Sequence, residues 1–186
     1  MVVKKIIQIC KKTKCIALYE DNLRETQWLG DLSSYYPLFG MPRFEEDSIC
    51  RAYDITEKQA EKIRFFHNGL PGGISFADVE EGETVCEPLE ITLKYMDTQV
   101  KPYMTSQGIK FMNQQYLEPV GDESKTHLEV YERHTETGTM YFAVKAGMEL
   151  VAMVFPIAVI SENFVKTLGN LYMRAKVMLE IEENKC

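Results

Sequence analysis

Three apolar runs between residues 128 and 157 constrain the fold more than any other part of this sequence. They read Leu-Glu-Val-Tyr-Glu-Arg, Thr-Met-Tyr-Phe-Ala-Val and Glu-Leu-Val-Ala-Met-Val-Phe-Pro-Ile, and the polar breaks between them contain Gly138 and Gly147. Aromatic and β-branched residues favour strands, and glycine adopts the positive φ of a tight turn without strain. The pattern therefore predicts an antiparallel meander at residues 128–157. Its last run is apolar on both faces, so we expect a central strand that is covered on both sides.

A helical pattern follows the meander. Ser161 stands at an N-cap position, and Glu162 lies just inside the first turn. Apolar residues then recur at helical spacing, at Phe164, Leu168, Leu171, Ala175 and Met178. The spacing predicts a C-terminal helix at residues 162–180 that buries one face against the meander or against a second copy of the chain. We expect the following residues to be buried: Leu150, Val154, Phe155, Leu168 and Leu171.

The first residues of the chain are basic and apolar. Ile6, Ile7 and Cys10 fit one face of a helix, and residues 16–19 are typical of a strand. No acidic residue precedes Glu20, and the lysines of this segment are Lys4, Lys5, Lys11, Lys12 and Lys14. Two interpretations stay open for them. They keep the outer face of a helix solvated, or they contact a phosphate backbone.

The next segments predict a further hairpin and a shorter helix. Residues 27–38 are strand-like on either side of a Gly-Asp turn, and residues 48–55 can form a strand. Thr56 offers an N-cap for a helix near residues 57–66. The aromatic surface candidates are Trp28, Tyr35 and Tyr36. They either form a platform for a ligand or cover the hairpin.

Glycines and then acidic residues interrupt the chain in its middle. Gly72 and Gly73 precede an acidic run from Asp78 to Glu90 that contains no lysine or arginine. This composition favours an acidic linker or loop at residues 76–88. It would separate an N-terminal α+β part at residues 1–75 from residues 89–186, unless the whole chain is one domain. Further strands are predicted at residues 89–95, 100–104 and 108–112.

Composition bounds the class of protein. The chain has 186 residues, of which 45% are apolar and 26% charged, an ordinary globular balance. With the predicted elements it indicates an α+β fold. The net charge of −7 disfavours a surface that coats nucleic acid as a whole, but not a local basic face. The longest apolar run is about half of a membrane span. We expect a cytoplasmic protein without membrane contact.

Motifs of catalysis and metal binding are absent from the sequence. It contains no GxSxG elbow, phosphate loop, HExxH pair or EF-hand loop. Its five cysteines are scattered without a CxxC pair, so we expect reduced thiols, no disulfide, no zinc and no cofactor. The alternative is a small hydrolase or metal-dependent enzyme that uses His67 and the acidic residues 78–90. His134 and Glu132 should share one face of the first meander strand, where solvent-exposed decoration is favoured over a catalytic dyad.

Residues 89–158 resemble a subdomain of a DNA sliding clamp. The shared order is a strand Leu-Glu-Ile-Thr-Leu-Lys-Tyr, then Phe-Met-Asn-Gln-Gln-Tyr-Leu, then a meander that ends in Val-Phe-Pro-Ile. In that family the apolar-proline tail lines the pocket that grips polymerase peptides. The resemblance implies that the matching peptide-pocket residues here are Val154, Phe155, Pro156 and Ile157.

The whole sequence is also similar to proteins carried by phages and prophages of Gram-positive bacteria. We therefore expect a non-catalytic binding or assembly protein, and the sharper hypothesis is a clamp-like accessory to DNA replication. Its partners would be another protein or a second copy of the chain, with non-specific DNA contact through the five N-terminal lysines.

Overall fold

Residues 2–69, 72–95, 97–121, 127–158 and 161–183 are described by a computed structural model. They form the predicted α+β fold. The strands in chain order are β1 (Cys15–Asp21), β2 (Thr26–Gly30), β3 (Ser34–Pro37), β4 (Arg64–Gly69), β5 (Thr84–Val85), β6 (Glu87–Pro88), β7 (Leu93–Tyr95), β8 (Thr98–Thr105), β9 (Gly108–Asn113), β10 (Leu128–His134), β11 (Met140–Ala146) and β12 (Glu149–Val154). The helices are α1 (Val3–Thr13), α2 (Glu46–Ala52), α3 (Glu57–Ala60) and α4 (Glu162–Glu183), and a 3-10 helix spans Gln114–Leu117.

The predicted meander is the centre of the larger sheet. Eight strands lie in the order β4-β1-β2-β3-β12-β11-β10-β5, and β1–β4 is the only parallel pair among the described strands. β12 lies between β11 and β3, and its residues Leu150 and Val154 are fully buried. This confirms the prediction of a central strand covered on both faces. Phe155, which follows the strand, is only half-buried.

Both faces of the larger sheet carry a core. On one face, Ile6, Ile7 and Cys10 of α1 pack in a cluster with Leu29 and Phe142. On the other face, Trp28, Tyr35 and Tyr141 pack with Phe76 from the acidic segment. The Trp28 and Phe76 rings meet edge to face with their centroids 4.7 Å apart. Aromatic pairs in this geometry add stability beyond the area that they bury.

The predicted aromatic surface candidates are therefore core residues. Trp28 and Tyr36 are 0% exposed and Tyr35 is 4% exposed. They lie on the β2–β3 hairpin, which is placed between β1 and β12 in the middle of the sheet. Trp28 and Tyr35 belong to the core on one face of the sheet and Tyr36 to the core on the other, so the hairpin is covered on both faces.

Residues 46–52 form helix α2 where the sequence predicts a strand. The backbone N–H of Glu45 donates to Oγ of Ser48 at 2.7 Å, and Glu46 and Asp47 occupy the first turn. Acidic side chains there favour a helix through its dipole. Ile49 is the one fully buried residue of the helix, and Cys50 and Tyr53 pack beside it against the same core.

The helix predicted at residues 57–66 ends early. Thr56 does begin it, since its backbone N–H donates a capping bond to Oε1 of Gln59 at 3.1 Å. The helix stops at Ala60, and Arg64–Gly69 forms strand β4 beside β1. Two adjacent phenylalanines, Phe65 and Phe66, suit a strand better than a helix. His67 therefore lies on an edge strand and not at the end of a helix.

The C-terminal helix α4 is present, and its described apolar contacts are with the smaller sheet and with Ile157 at the end of the meander. Val165, Leu168 and Tyr172 of this 22-residue helix pack in one cluster with Ile109 and Phe111 of the smaller sheet. Leu171 is 58% exposed and Leu168 is half-buried, so the prediction that both are buried is wrong for Leu171 and only partly correct for Leu168. The predicted apolar face is therefore buried only in part, since Leu168 packs on the sheet whereas Phe164 and Met178 are exposed. Among the described residues, no helix is long and apolar enough to cross a membrane.

The acidic segment joins the two sheets. β5 pairs with β10 of the larger sheet, and β6 pairs with β8 of the smaller one. The smaller sheet contains β6, β7, β8 and β9. Of the strand predicted at residues 89–95, only Leu93–Tyr95 is a strand, whereas the strands predicted at 100–104 and 108–112 are confirmed. The division of the chain at residues 76–88 stays a prediction.

Candidate functional site

A groove of about 810 Å³ opens between the smaller sheet and the end of the meander. Five parts of the chain line it: the turn between β8 and β9, strand β9, the turn between β10 and β11 with Met140, residues 155–158, and the start of α4. Phe111, Phe155 and Ile157 give it apolar walls. This size and lining lie within the range of sites that take a small molecule or several side chains of a partner.

The groove brings together three of the four predicted peptide-pocket residues. Phe155, Pro156 and Ile157 line it, and each is half-buried. Val154 does not, because the last residue of β12 turns into the core of the larger sheet and is fully buried. The pocket prediction is therefore corrected at that position. Alternation of side chains along a strand explains the difference between Val154 and its neighbour.

Strand β9 forms an edge along the groove. Among the described strands it pairs only with β8. The N–H of Ile157 donates to the carbonyl oxygen of Phe111 at 2.9 Å, so this side of Phe111 faces the groove. Backbone groups alternate along a strand. The N–H and C=O of Ile109, two residues earlier, therefore also point towards the groove.

Charged residues stand at the margins of the groove. Lys110 and Lys166 line it on the two sides, together with Glu162 at the start of α4. The two lysines outnumber the single carboxylate, so the local charge is positive on a chain of net charge −7. An acidic group on a ligand would be favoured at this margin.

Buried polar contacts hold the turn between β8 and β9 in place. Glu132 of β10 is 3% exposed, and its carboxylate accepts from the N–H and the Oγ of Ser106, both at 2.6 Å. His134 Nε2 lies 3.2 Å from the same carboxylate. Glu132 and His134 thus share a face as predicted. Glu132 is buried, however, and fixes one wall of the groove to the meander.

The five predicted DNA-contact lysines lie at or beside the outer face of α1. The buried side of this helix is formed by Ile6, Ile7, Ile9 and Cys10. Lys11 Nζ donates to the carbonyl oxygen of Tyr53 at 2.9 Å, and Lys12 Nζ donates to Oε1 of Gln115 at 2.9 Å. These two lysines therefore also secure the helix to its neighbours. Lys4, Lys12 and Lys14 are exposed, and Lys5 is half-buried.

The residues of the alternative enzyme hypothesis have other partners. His67 Nε2 lies 3.4 Å from Oε1 of Glu20. The acidic residues bind cations of the larger sheet instead: Asp78 contacts Arg24 at 3.3 Å, and Glu80 and Glu83 contact Arg133. No described contact joins His67 to them. Within the described residues, no three His, Cys, Asp or Glu side chains are placed to hold a metal ion. The four described cysteines are free thiols.

Two buried cations are the residues that sequence reasoning missed. Arg133 donates to Glu83 and to the carbonyl oxygens of Ser75 and Ala77, and Lys145 also pairs with Glu83. Burial raises the pKa of Glu83, but hydrogen bonds from Lys145 and Arg133 outweigh it and the pKa lies below its usual value. The acidic run from Asp78 to Glu90 could have indicated these two cations. A run of carboxylates without nearby basic residues needs cations from elsewhere in the fold if it is to be held in place.

The comparisons with known proteins returned nothing. No protein-family model matches the chain, and neither a curated protein nor a solved structure matches it. The groove and its walls are therefore the observations from which function is argued.

Proposed function

We propose that the chain is a non-catalytic binding protein whose groove receives an extended, apolar segment of a partner protein. The observation that carries this proposal is the groove of about 810 Å³ beside the edge of β9. An edge strand offers unpaired backbone donors and acceptors, and peptides bind such edges by adding a strand. Apolar pockets beside the edge then select the side chains.

The edge and the pockets suit different parts of the same peptide. Ile109 presents its N–H and C=O for main-chain hydrogen bonds, as the register of β9 indicates. Alternate side chains of an added strand point to one side, where the half-buried Phe155 and Ile157 are available above the buried Phe111. Lys110 and Lys166 favour an acidic residue next to the apolar ones.

The sharper form of the proposal is a clamp-like accessory to DNA replication in a bacterium or its phage. Two observations support it. Residues 155–157, which resemble the peptide-gripping tail of sliding clamps, line the groove, and α1 turns its lysines away from the core. In this form, copies of the chain join edge to edge, and the lysines meet DNA phosphates without reading bases.

Selection from a random peptide library displayed on phage tests the binding proposal. We expect enriched peptides to combine apolar residues at alternate positions with an acidic neighbour. Thr139→Trp should fill the groove, and Lys166→Glu should reverse the charge at its margin, since both residues line it and are exposed. Each variant should lower the affinity for a selected synthetic peptide by about tenfold or more, equivalent to about 1.4 kcal/mol of binding free energy.

Matched controls lie close to each variant. Thr137→Trp is in the same turn and Lys176→Glu on the same helix, and neither residue lines the groove. Both should leave the affinity unchanged, and thermal melts should confirm that all four variants fold. Methylating alternate backbone nitrogens of the peptide tests strand addition, because only one of the two sets faces β9. Equal binding by all variants, or no enriched peptide, would contradict the proposal.

A further inference from the structure

A second concavity, separate from the groove, gathers three cations. It has a volume of about 370 Å³ and lies where α1 ends and strands β1 and β4 begin. Lys14, Lys62 and Arg64 line it, with Leu32 and Phe66 as its apolar part. None of the residues that line the groove lines this pocket.

The three cations have no carboxylate partner among the described residues. The ion pairs of this part of the chain use other residues, such as Glu20 with Arg43 and Asp21 with Arg24. The chain has 28 acidic and 21 basic residues, so unpaired basic side chains that converge on one concavity are unexpected in it. All three residues are exposed, so water screens their mutual repulsion, and an anion between them would be attracted by all three charges.

Asp31 is the acidic residue whose charge reaches this region, and its carboxylate already accepts hydrogen bonds from other residues. Burial and Asp31 raise the pKa of the Cys15 thiol, and the positive charge of Arg64 opposes that shift. Asp31 is buried, and its oxygens accept hydrogen bonds from Ser34 at 2.9 Å and from Tyr116 at 3.2 Å. It does not line the pocket. Asp31 therefore leaves the three cations free to bind an anion from solvent.

The end of α1 does not account for three positive charges. The carbonyl groups at a helix C-terminus carry the equivalent of about half a negative charge. One lysine is sufficient to balance this, whereas Lys14, Lys62 and Arg64 bring three. Most of the positive charge in the pocket therefore remains for a ligand.

Lys14 occupies a backbone conformation that a lysine does not favour. It is the C-cap of α1 with φ 58° and ψ 36°, in the left-handed region where glycine is the common residue. Strained backbone positions are often kept where the side chain has a function. Glycine at this position would relieve the strain and leave the backbone bond from the Lys14 N–H to the carbonyl of Cys10 in place.

We propose that this pocket binds a small phosphate ester of about nucleotide size. Arginine and lysine are the side chains that bind phosphate oxygens. The half-buried Phe66 and the partly exposed Leu32 offer a surface for an apolar or planar group attached to the phosphate. The volume of the pocket lies at the lower end of the range for small-molecule sites.

Isothermal titration calorimetry with AMP, ATP, pyrophosphate and inorganic phosphate tests the proposal. We expect a phosphate ester to bind at constant ionic strength, and Lys62→Gln and Arg64→Gln each to weaken it by about tenfold or more. Lys14→Gly should weaken phosphate-ester binding as well, without lowering the melting temperature. If Lys14 were purely structural, its replacement would not weaken binding in a protein of unchanged stability. Phe66→Ala should lower the affinity for AMP but leave the affinity for inorganic phosphate unchanged.

The controls separate this site from others. Lys94→Gln lies on the smaller sheet, where Lys94 pairs with Asp97, and should leave binding unchanged. A single-stranded oligonucleotide that binds far more tightly than ATP would instead indicate a nucleic-acid surface and overturn the small-ligand proposal. Absence of binding by every phosphate compound, or binding that survives Lys62→Gln and Arg64→Gln, would also overturn it.

Discussion

Arg133 and Glu83 are 50 residues apart in the chain, yet the Nε of the arginine donates to Oε2 of the glutamate at 2.8 Å. The arginine side chain has no exposed surface, and the glutamate side chain is 10% exposed. This pair holds the acidic loop, residues 75–83, against the meander. Lys145 completes the arrangement by contacting Glu83 and lying 4.2 Å from the centre of the Tyr131 ring.

Removing one partner of this buried pair should be costly. We expect Arg133→Met to lower the free energy of unfolding by about 3–5 kcal/mol, because Glu83 loses one of its two cationic partners and the carbonyl oxygens of Ser75 and Ala77 lose their donor. Lys94→Met removes a surface ion pair with Asp97 and should cost about 1 kcal/mol or less. Urea denaturation of both variants measures the difference. Equal losses would show that Arg133 does not hold the loop.

Acid should weaken the fold through the same carboxylate. The pKa of Glu83 is lowered in the folded state from its ordinary value of 4.5, because the bonds from Lys145 and Arg133 outweigh the effect of burial. The stabilisation is therefore present above that ordinary value and is lost as pH falls through the lower, folded-state pKa.

Glu83→Gln isolates this contribution. The variant should be less stable than wild type at neutral pH, and the difference should narrow as the pH falls below about 4.5. Urea titrations at a series of pH values measure it. A constant difference between the two proteins throughout the acid range would contradict the assignment to Glu83.

Gly30 should not tolerate a side chain. A Cβ at this position would overlap the carbonyl oxygen of Ser34, which belongs to the adjacent strand of the hairpin. We expect Gly30→Ala to destabilise the protein by about 1–3 kcal/mol or more, since strand backbone must move. Gly72→Ala is the matched control, because nothing lies within 4 Å of its added Cβ. Its melting temperature should be close to that of wild type.

Two leucines on α4 should differ in their contribution. Leu168 packs against the smaller sheet, whereas Leu171 is mostly exposed. Leu168→Ala should cost about 1–3 kcal/mol, less than a fully buried leucine, and Leu171→Ala should change stability by about 0.5 kcal/mol or less. Chemical denaturation of the two variants measures the loss of unfolding free energy caused by each substitution. A larger effect at Leu171 in dilute protein would place its side chain in an interface.

The clamp-like form of the proposed function predicts assembly and weak DNA binding together. Light scattering should show a mass greater than one chain, and retention on duplex DNA should fall steeply as salt rises. Lys4→Gln with Lys5→Gln should reduce the slope of log affinity against log salt by about 0.9 for each phosphate that is no longer neutralised. A monomer that ignores DNA at low salt would contradict this form and leave the peptide-binding proposal intact.

Local patterns predicted the elements whose backbone partners are close in sequence. The meander was predictable because Gly138 and Gly147 place each strand beside the next. Residues 46–52 were not, because the favourable contacts of Glu45, Ser48 and Ile49 outweigh a strand-like composition. Local sequence alone does not show whether the helix-favouring contacts or the strand-like composition contributes more free energy.

The site depended on contacts that sequence does not show. The tail at residues 155–157 was a candidate from resemblance, but its opposing wall comes from Ile109 and Phe111 on β9. Likewise, the spacing on α4 predicted a wide buried face, whereas the sheet beneath it contacts Leu168 of that face and leaves Leu171 exposed. Which surface a helix covers is decided by the distant element it meets.

The acidic loop also covers Trp28, the only tryptophan of the chain, and ion pairs hold this loop in place. Phe76 of this loop lies over Trp28, and the loop itself is fixed by Arg133 and Lys145. Segments held by few contacts open before the whole domain unfolds. Weakening the ion pairs should therefore admit water to the indole first. The intrinsic fluorescence of this protein is a local optical reporter of that opening, and a red shift should precede the loss of circular dichroism.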